Sequence, residues 1–200
     1  MDTSFFIALA MFAFITSVTP GPNNIMLLAS GAQFGYRRTI PHMLGIIIGM
    51  FSLLLATLLG LGALFSLYPS LYSGLQWVGC LYLLWLAWKI ASSPVGHFDL
   101  GEQAAKPMTW WQAVLFQYVN PKAWMMSLGC VSTFTFAGDK YLASGISILL
   151  AFACLGFIAI SIWAWAGMKI RIWLTNSKRQ RAFNYLMGLA TAMTLFMIIG

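Results

Sequence analysis

Acidic residues are nearly missing from this chain: 4 Asp and Glu stand against 11 Lys and Arg in 200 residues. Charge of either sign makes up 8% of the sequence, where a soluble domain carries about 25%. A chain so poor in charge cannot clothe a water-facing surface. With 60% hydrophobic residues and a mean hydropathy of +0.83, it reads as an all-α polytopic membrane protein. Cysteine is scarce as well: Cys80, Cys130 and Cys154 sit in apolar segments without paired spacing, which excludes a disulfide or zinc framework and predicts buried free thiols. No Ser/His/Asp or metal-ligand cluster is present, so neither hydrolysis nor a cofactor is expected. Charge runs, low-complexity tracts and a soluble domain are also missing, which makes residues 1–200 a single membrane domain. Asp2 stands where a secretory signal needs Lys or Arg, so the first hydrophobic segment is expected to be retained.

What is present is a double-proline interruption, Thr19-Pro20-Gly21-Pro22-Asn23-Asn24, between the apolar runs Phe5–Val18 and Ile25–Phe34. In lipid each unpaired backbone group costs several kcal/mol, so a spanning segment should be continuous helix. Pro20 and Pro22 remove two amide donors, free the carbonyls of Thr16 and Val18, and disfavour helix at the residue before each. A lone proline would be a kink. Two prolines, a glycine and two asparagines together read as a binding site, because such a break survives at membrane depth only when packed in protein or lining a wet cavity.

Six segments are long and apolar enough to span: 4–34 (interrupted at 19–24), 41–66, 70–91, 108–136 (interrupted at 120–122), 142–167 and 182–199. Tight connections are expected at 67–69 and 138–141, and the polar stretch 92–109 reads as a linker between two halves, 1–91 and 110–200. Lysine and arginine concentrate after segments one, three and five (Arg37, Arg38; Lys89, Lys106; Lys169, Arg171, Lys178, Arg179, Arg181), with Lys140 alone in an even-numbered loop. Those loops therefore face the cytoplasm and both termini face out. The same distribution turns the +7 charge into a topology signal and excludes nucleic acid as partner, with anionic lipid at 169–181 as a secondary contact. Trp85, Trp88, Trp110 and Trp111 fall where interfacial anchors belong. Small residues recur four apart at Gly31/Gly35, Gly45/Gly49, Ala56/Gly60 and Gly188/Ala192. Packing within one subunit explains them, with a homodimer as the alternative.

Segment four carries a second interruption, Gln117-Tyr118-Val119-Asn120-Pro121-Lys122, in which Pro121 frees the Gln117 carbonyl and Asn120 is suited to cap the restarting helix. Two three-helix halves of opposite orientation, each opening with a helix broken at midplane, match the inverted repeat of secondary transporters, whose substrate site lies at the paired breaks. After Pro22 the first-turn amides of Asn23, Asn24 and Ile25 suit a carboxylate, while the freed carbonyls of Thr16, Ser17 and Val18 suit an ammonium group. A zwitterion fits both ends. Lys122 is the ionisable residue deep within a segment, at a cost of about 2.5–3.5 kcal/mol for a lysine at mid-span. Its expected role is counter-charge to the substrate carboxylate, against snorkelling towards an interface as the bland alternative. Gln117 and Asn120 share a helix face and either bind the substrate or join helices. Asp2, Asp99, Glu102 and Asp139 all fall at ends or in loops, so proton coupling has to use Lys122, His42 or the substrate itself, and His42 is expected at the interface.

At these residues the chain resembles the LysE-type amino-acid exporters, in the branch for threonine, homoserine and related small amino acids. The likeness rests on Thr19-Pro20-Gly21-Pro22-Asn23 and Asn120-Pro121-Lys122, supported by Gly31, Gly35, Gly45, Gly49 and the run 79–89. It covers essentially the whole chain. The stretch 85–94 looks most like the cysteine and O-acetylserine exporters. The resemblance implies export of a small amino acid across the inner membrane, driven by the membrane potential or a proton gradient. Two other classes compete with it. A thiol-electron carrier needs cysteines at equivalent positions beside both breaks, and no thiol lies near the first; a scaffold protein has no use for interrupted backbone at midplane.

Overall fold

The computed structural model describes residues 1–93 and 107–196, and among them the chain is helical without strands. The inter-half linker expected at 92–109 lies mostly outside the described residues. Helix α1, Thr3–Val18, starts at Asp2, whose carboxylate accepts from the Phe5 amide at 3.0 Å. It stops because Thr19 is extended (φ −61°, ψ 146°), the conformation a following proline favours. Helix α2, Pro22–Phe34, begins with proline at its first position, where the missing N–H costs nothing. The two are bent by 59°. Gly35, at φ 79°, turns the chain directly into α3, Tyr36–Ala56, a left-handed conformation that glycine adopts without a Cβ penalty.

A π turn at Thr57–Leu61 leads into α4, Gly62–Leu67, and a single residue then separates it from α5, Pro69–Ala91. The second half runs α6 Trp110–Val119, α7 Pro121–Phe134, α8 Tyr141–Ala151, a π turn at Phe152–Gly156, α9 Phe157–Ile170 and α10 Ser177–Met193. Tyr141 donates its hydroxyl to the Leu58 carbonyl and so ties the start of α8 to the first π turn.

Three helical stretches are long and apolar enough to cross a membrane, Tyr36–Leu61, Pro69–Ala91 and Gly138–Trp173, and the bent α1–α2 pair makes a fourth. The other two expected spans are less clear-cut for physical reasons. The second interruption divides segment four into helices of 10 and 14 residues, while α10 opens on Ser-Lys-Arg-Gln-Arg. The protein is thus a multi-pass membrane protein.

Helices meet through glycine. A Cβ placed on Gly31 of α2 would lie 2.1 Å from the Ala164 carbonyl oxygen of α9, and one on Gly167 would lie 2.1 Å from the Leu28 oxygen. The same holds for Gly45 of α3 against the Trp110 oxygen at 2.1 Å and for Gly188 of α10 against the Ala87 oxygen at 2.7 Å. Gly31, Gly45, Gly167 and Gly188 thus bring backbones of one chain together, as small residues do in membranes, whereas a Cβ on Gly60 would meet nothing within 4 Å and the expected Ala56/Gly60 pair makes no such approach. Around them sit apolar clusters, one joining α2, α5 and α10 through Met26, Leu86 and Met187, another joining α1, α3 and α7 through Leu9, Leu53 and Trp124. The cysteines are free as expected, but only Cys80 and Cys130 are buried; Cys154 faces outward from its π turn.

Candidate functional site

The two interruptions face one another. Lys122, in the first turn of α7, sends its ammonium across to the first break, where Nζ donates to the Thr19 carbonyl at 2.7 Å, the Thr19 hydroxyl at 2.9 Å and the Pro20 carbonyl at 3.2 Å. Beside it, Asn23 and Gln117 exchange amide hydrogen bonds: Asn23 Nδ2 donates to Gln117 Oε1 at 2.8 Å and Gln117 Nε2 donates to Asn23 Oδ1 at 3.2 Å. Gln117 Nε2 also reaches the Ala113 carbonyl of its own helix at 3.0 Å. A buried amide such as that of Gln117 must be paired, and the half-buried Asn23 pairs it.

The carbonyls freed at the end of α1 are taken up by the protein's own side chains. Thr19 Oγ1 donates to the Thr16 carbonyl at 2.9 Å, Asn24 Nδ2 to the Ser17 and Thr19 carbonyls at 2.8 and 2.7 Å, and Trp163 Nε1 of α9 to the Val18 carbonyl at 2.9 Å. The reason is energetic, since an unpaired buried carbonyl costs about 1–3 kcal/mol. The second break is shorter. Asn120 is the single residue outside helical geometry, at φ −90° and ψ 105°, and its side chain accepts from the Lys122 amide at 3.2 Å as a helix cap. Trp124 Nε1 takes the Tyr118 carbonyl at 2.8 Å.

A space of about 40 Å³ lies between the breaks, lined by Thr16, Gly21, Asn23, Asn24, Gln117, Asn120 and Lys122 and walled by residues of α3 and the second π turn. A larger cavity of about 290 Å³, mostly apolar, touches the other side of the first break and is lined by Thr19, Pro20, Gly21, Pro22 and Lys122 among others. Of the residues singled out in the sequence, the structure therefore gathers Thr16, Thr19, Pro20, Gly21, Pro22, Asn23, Asn24, Gln117, Asn120 and Lys122 at these two spaces. Pro121 is buried as the first residue of α7 and shapes the break from within.

Gly21 serves close approach: its extended φ of 173° suits any residue, but a Cβ there would lie 2.8 Å from Lys122 Cδ. The Lys122 ammonium points at the carbonyl end of α1, where a substrate ammonium was expected. Two groups escape a sequence reading. Trp163, about 145 residues from its carbonyl partner, carries no local signal. The burial of His42 carries none either: it is 1% exposed because its neighbours cover the start of α3, and neither ring nitrogen has a hydrogen-bond partner among the described residues.

Residues 14–198 match the family described as "LysE type translocator". The chain is 35% identical over 159 residues to the cysteine/O-acetylserine efflux protein of Escherichia coli (strain K12), covering 78% of each chain. It is 38% identical over 161 residues to the cysteine/O-acetylserine efflux protein of Salmonella choleraesuis, again with 78% of each covered. No solved structure matches it. With the family match running through both helix breaks, the chain belongs to the LysE-type translocators.

Proposed function

We propose that this protein is a secondary exporter of small amino acids or their derivatives, of the cysteine, O-acetylserine, threonine and homoserine kind, which works by alternating access at the paired breaks. The relatives named cysteine/O-acetylserine efflux proteins support the substrate class. The observation that carries the mechanism is the Lys122 ammonium seated on Thr19 and Pro20. A primary ammonium held by carbonyls at the negative end of a half-helix is what a bound amino group would look like. In this reading the substrate ammonium takes the place of Lys122. The displaced Lys122 then pairs with the substrate carboxylate, beside the first-turn amides of Asn23 and Asn24. On release, Lys122 returns to Thr19 and Pro20 and keeps the empty site from holding unpaired groups.

The halves 1–91 and 110–200 act as inverted three-helix repeats, each opening with a broken helix (α1–α2 and α6–α7), and the cationic loops face the cytoplasm with both termini outside. On that orientation the glycine contacts of Gly31, Gly45 and Gly167 lock the cytoplasmic ends of the helices together. In this reading transport requires those contacts to part. The location is the bacterial inner membrane, and the work is movement of solute rather than chemistry.

Purified protein in vesicles loaded with labelled cysteine, O-acetylserine, threonine and homoserine tests the reading. At least one should leave faster than from protein-free vesicles, and efflux of none would end the proposal. A Thr175→Cys protein should resist an impermeant thiol reagent added outside the cell; labelling there would overturn the orientation and the inverted repeat with it.

A further inference from the structure

The seat of the Lys122 ammonium forms part of the wall of the larger cavity. Thr19 and Pro20, whose carbonyls hold Nζ, line the space of about 290 Å³ and do not line the smaller one between the breaks. Thr16, Gly21, Lys122 and Met126 line both, so the two spaces adjoin at the Lys122 stem. A ligand ammonium placed on Thr19 and Pro20 therefore has the larger, apolar space beside it.

Away from that seat the wall is made of Phe12 on α1, Met125 and Met126 on α7, and Thr194 just past the end of α10. None of the lining residues is acidic, and Lys122 is their one charged group. The hydroxyls of the wall already donate to helix carbonyls. Thr16 Oγ1 gives its proton to the Phe12 carbonyl at 2.6 Å, Thr19 Oγ1 to the Thr16 carbonyl at 2.9 Å and Thr194 Oγ1 to the Thr191 carbonyl at 2.7 Å. A hydroxyl has a single proton to donate. Apart from Lys122, the side chains of the wall thus keep no donor for a guest, and none of them carries a charge that would neutralise a cation.

We infer that this cavity receives the side chain of the transported amino acid, and that its wall selects short neutral side chains of the alkyl, thiol or thioether kind over hydroxylated and cationic ones. The inference rests on the exchange proposed at Lys122 and narrows the substrate class of that same site. With the substrate ammonium on Thr19 and Pro20 and its carboxylate on Lys122, the Cα substituent is the group left to place, and the apolar wall adjoins that seat. Methionine suits such a role, because its flexible thioether fills irregular gaps, and a thiol behaves as a small apolar group beside it. A guest hydroxyl gives up its hydrogen bonds to water and finds no side-chain donor in exchange. A guest ammonium stands beside Lys122 with no carboxylate in the wall to offset it.

Competition reads the selection. In vesicles loaded with a labelled amino acid of the panel above, co-loaded 2-aminobutyrate should compete about ten- to hundredfold better than L-serine, which carries a hydroxyl in place of its methyl, the range in which an apolar pocket rejects such an isostere. The cationic 2,3-diaminopropionate should not compete. Met125→Gln keeps the length of the side chain and gives the wall an amide, so it should cut the preference for 2-aminobutyrate over L-serine about three- to tenfold. Occupancy is read separately in detergent, on the full-length protein with Cys80, Cys130 and Cys154 changed to alanine and Met125→Cys added at a position 57% exposed. There 2-aminobutyrate should slow alkylation of the new thiol saturably. The inference falls if L-serine competes as well as 2-aminobutyrate, or if Met125→Gln leaves the preference unchanged. It also falls if oleate protects the thiol and no amino acid does, since the cavity would then hold an acyl chain. Efflux without protection counts against the pocket and leaves export standing, whereas protection without efflux of any amino acid counts against export and leaves the pocket.

Discussion

The two helix breaks solve the same problem by different means. At the second, one residue leaves the helix, it is buried to 1% exposure, and its own side chain caps the helix that restarts after it. The first runs through Thr19, Pro20 and Gly21, leaves Thr19 and Pro20 exposed, and draws partners from α2, α7 and α9. A one-residue interruption can satisfy itself locally, whereas a three-residue one leaves more carbonyls than its neighbours in sequence can reach. The longer break therefore depends on the shorter, which supplies Lys122 and Gln117 to it. One break thus holds its own shape, and the other is held by side chains from three helices.

Substitutions can break this asymmetry or sharpen it. The largest effect is expected for Lys122→Met, which removes every bond that Nζ makes to Thr19 and Pro20. Vesicle efflux should fall at least about tenfold. Stability should fall as well, because three charge-assisted bonds worth about 1.5–3 kcal/mol each exceed the relieved burial cost of about 2.5–3.5 kcal/mol. Wild-type efflux by this protein would show that the first break does not need the second.

Gly79→Ala should come next. A Cβ there lies 2.1 Å from the Val119 carbonyl oxygen and 3.3 Å from Pro121 Cδ, so it strikes backbone at the second break that has no freedom to yield. A loss of about 1–3 kcal/mol is expected in reversible detergent or denaturant unfolding. No loss would mean that α5 does not brace this break.

Asn120→Ala removes one capping bond and should cost about 1 kcal/mol in the same unfolding measurement, with Lys122 kept on α7 and efflux reduced rather than lost. Loss of all transport would instead give Asn120 a direct role with the substrate. The smallest effect should come from Gly21→Ala: the backbone there is extended, and the added methyl meets the flexible stem of Lys122 at 2.8 Å. Stability should change by less than about 1 kcal/mol, while efflux slows because Lys122 is displaced from its seat. A loss as large as that of Gly79→Ala would mean that the first break is as rigid as the second.

Both interruptions were legible in the sequence because proline acts through covalent structure. It lacks an N–H and crowds the residue before it wherever the chain places it, so Val18 and Asn120 had to mark helix limits. The glycine stripes and the membrane class were legible for a similar reason, since composition and spacing need no partner to be read. What Lys122 would touch could not be read in this way. Its partners lie 102 and 103 residues away, Gln117 meets Asn23 across 94, and Trp163 meets Val18 across 145. The sequence marked the carbonyls at the end of α1 as free, and only the tertiary structure filled them, because burial in an apolar surrounding penalises any that stay unpaired and a distant donor can answer only once the helices pack. His42 shows the same limit. Its burial belongs to the neighbours that cover it and cannot be read from its own position in the chain.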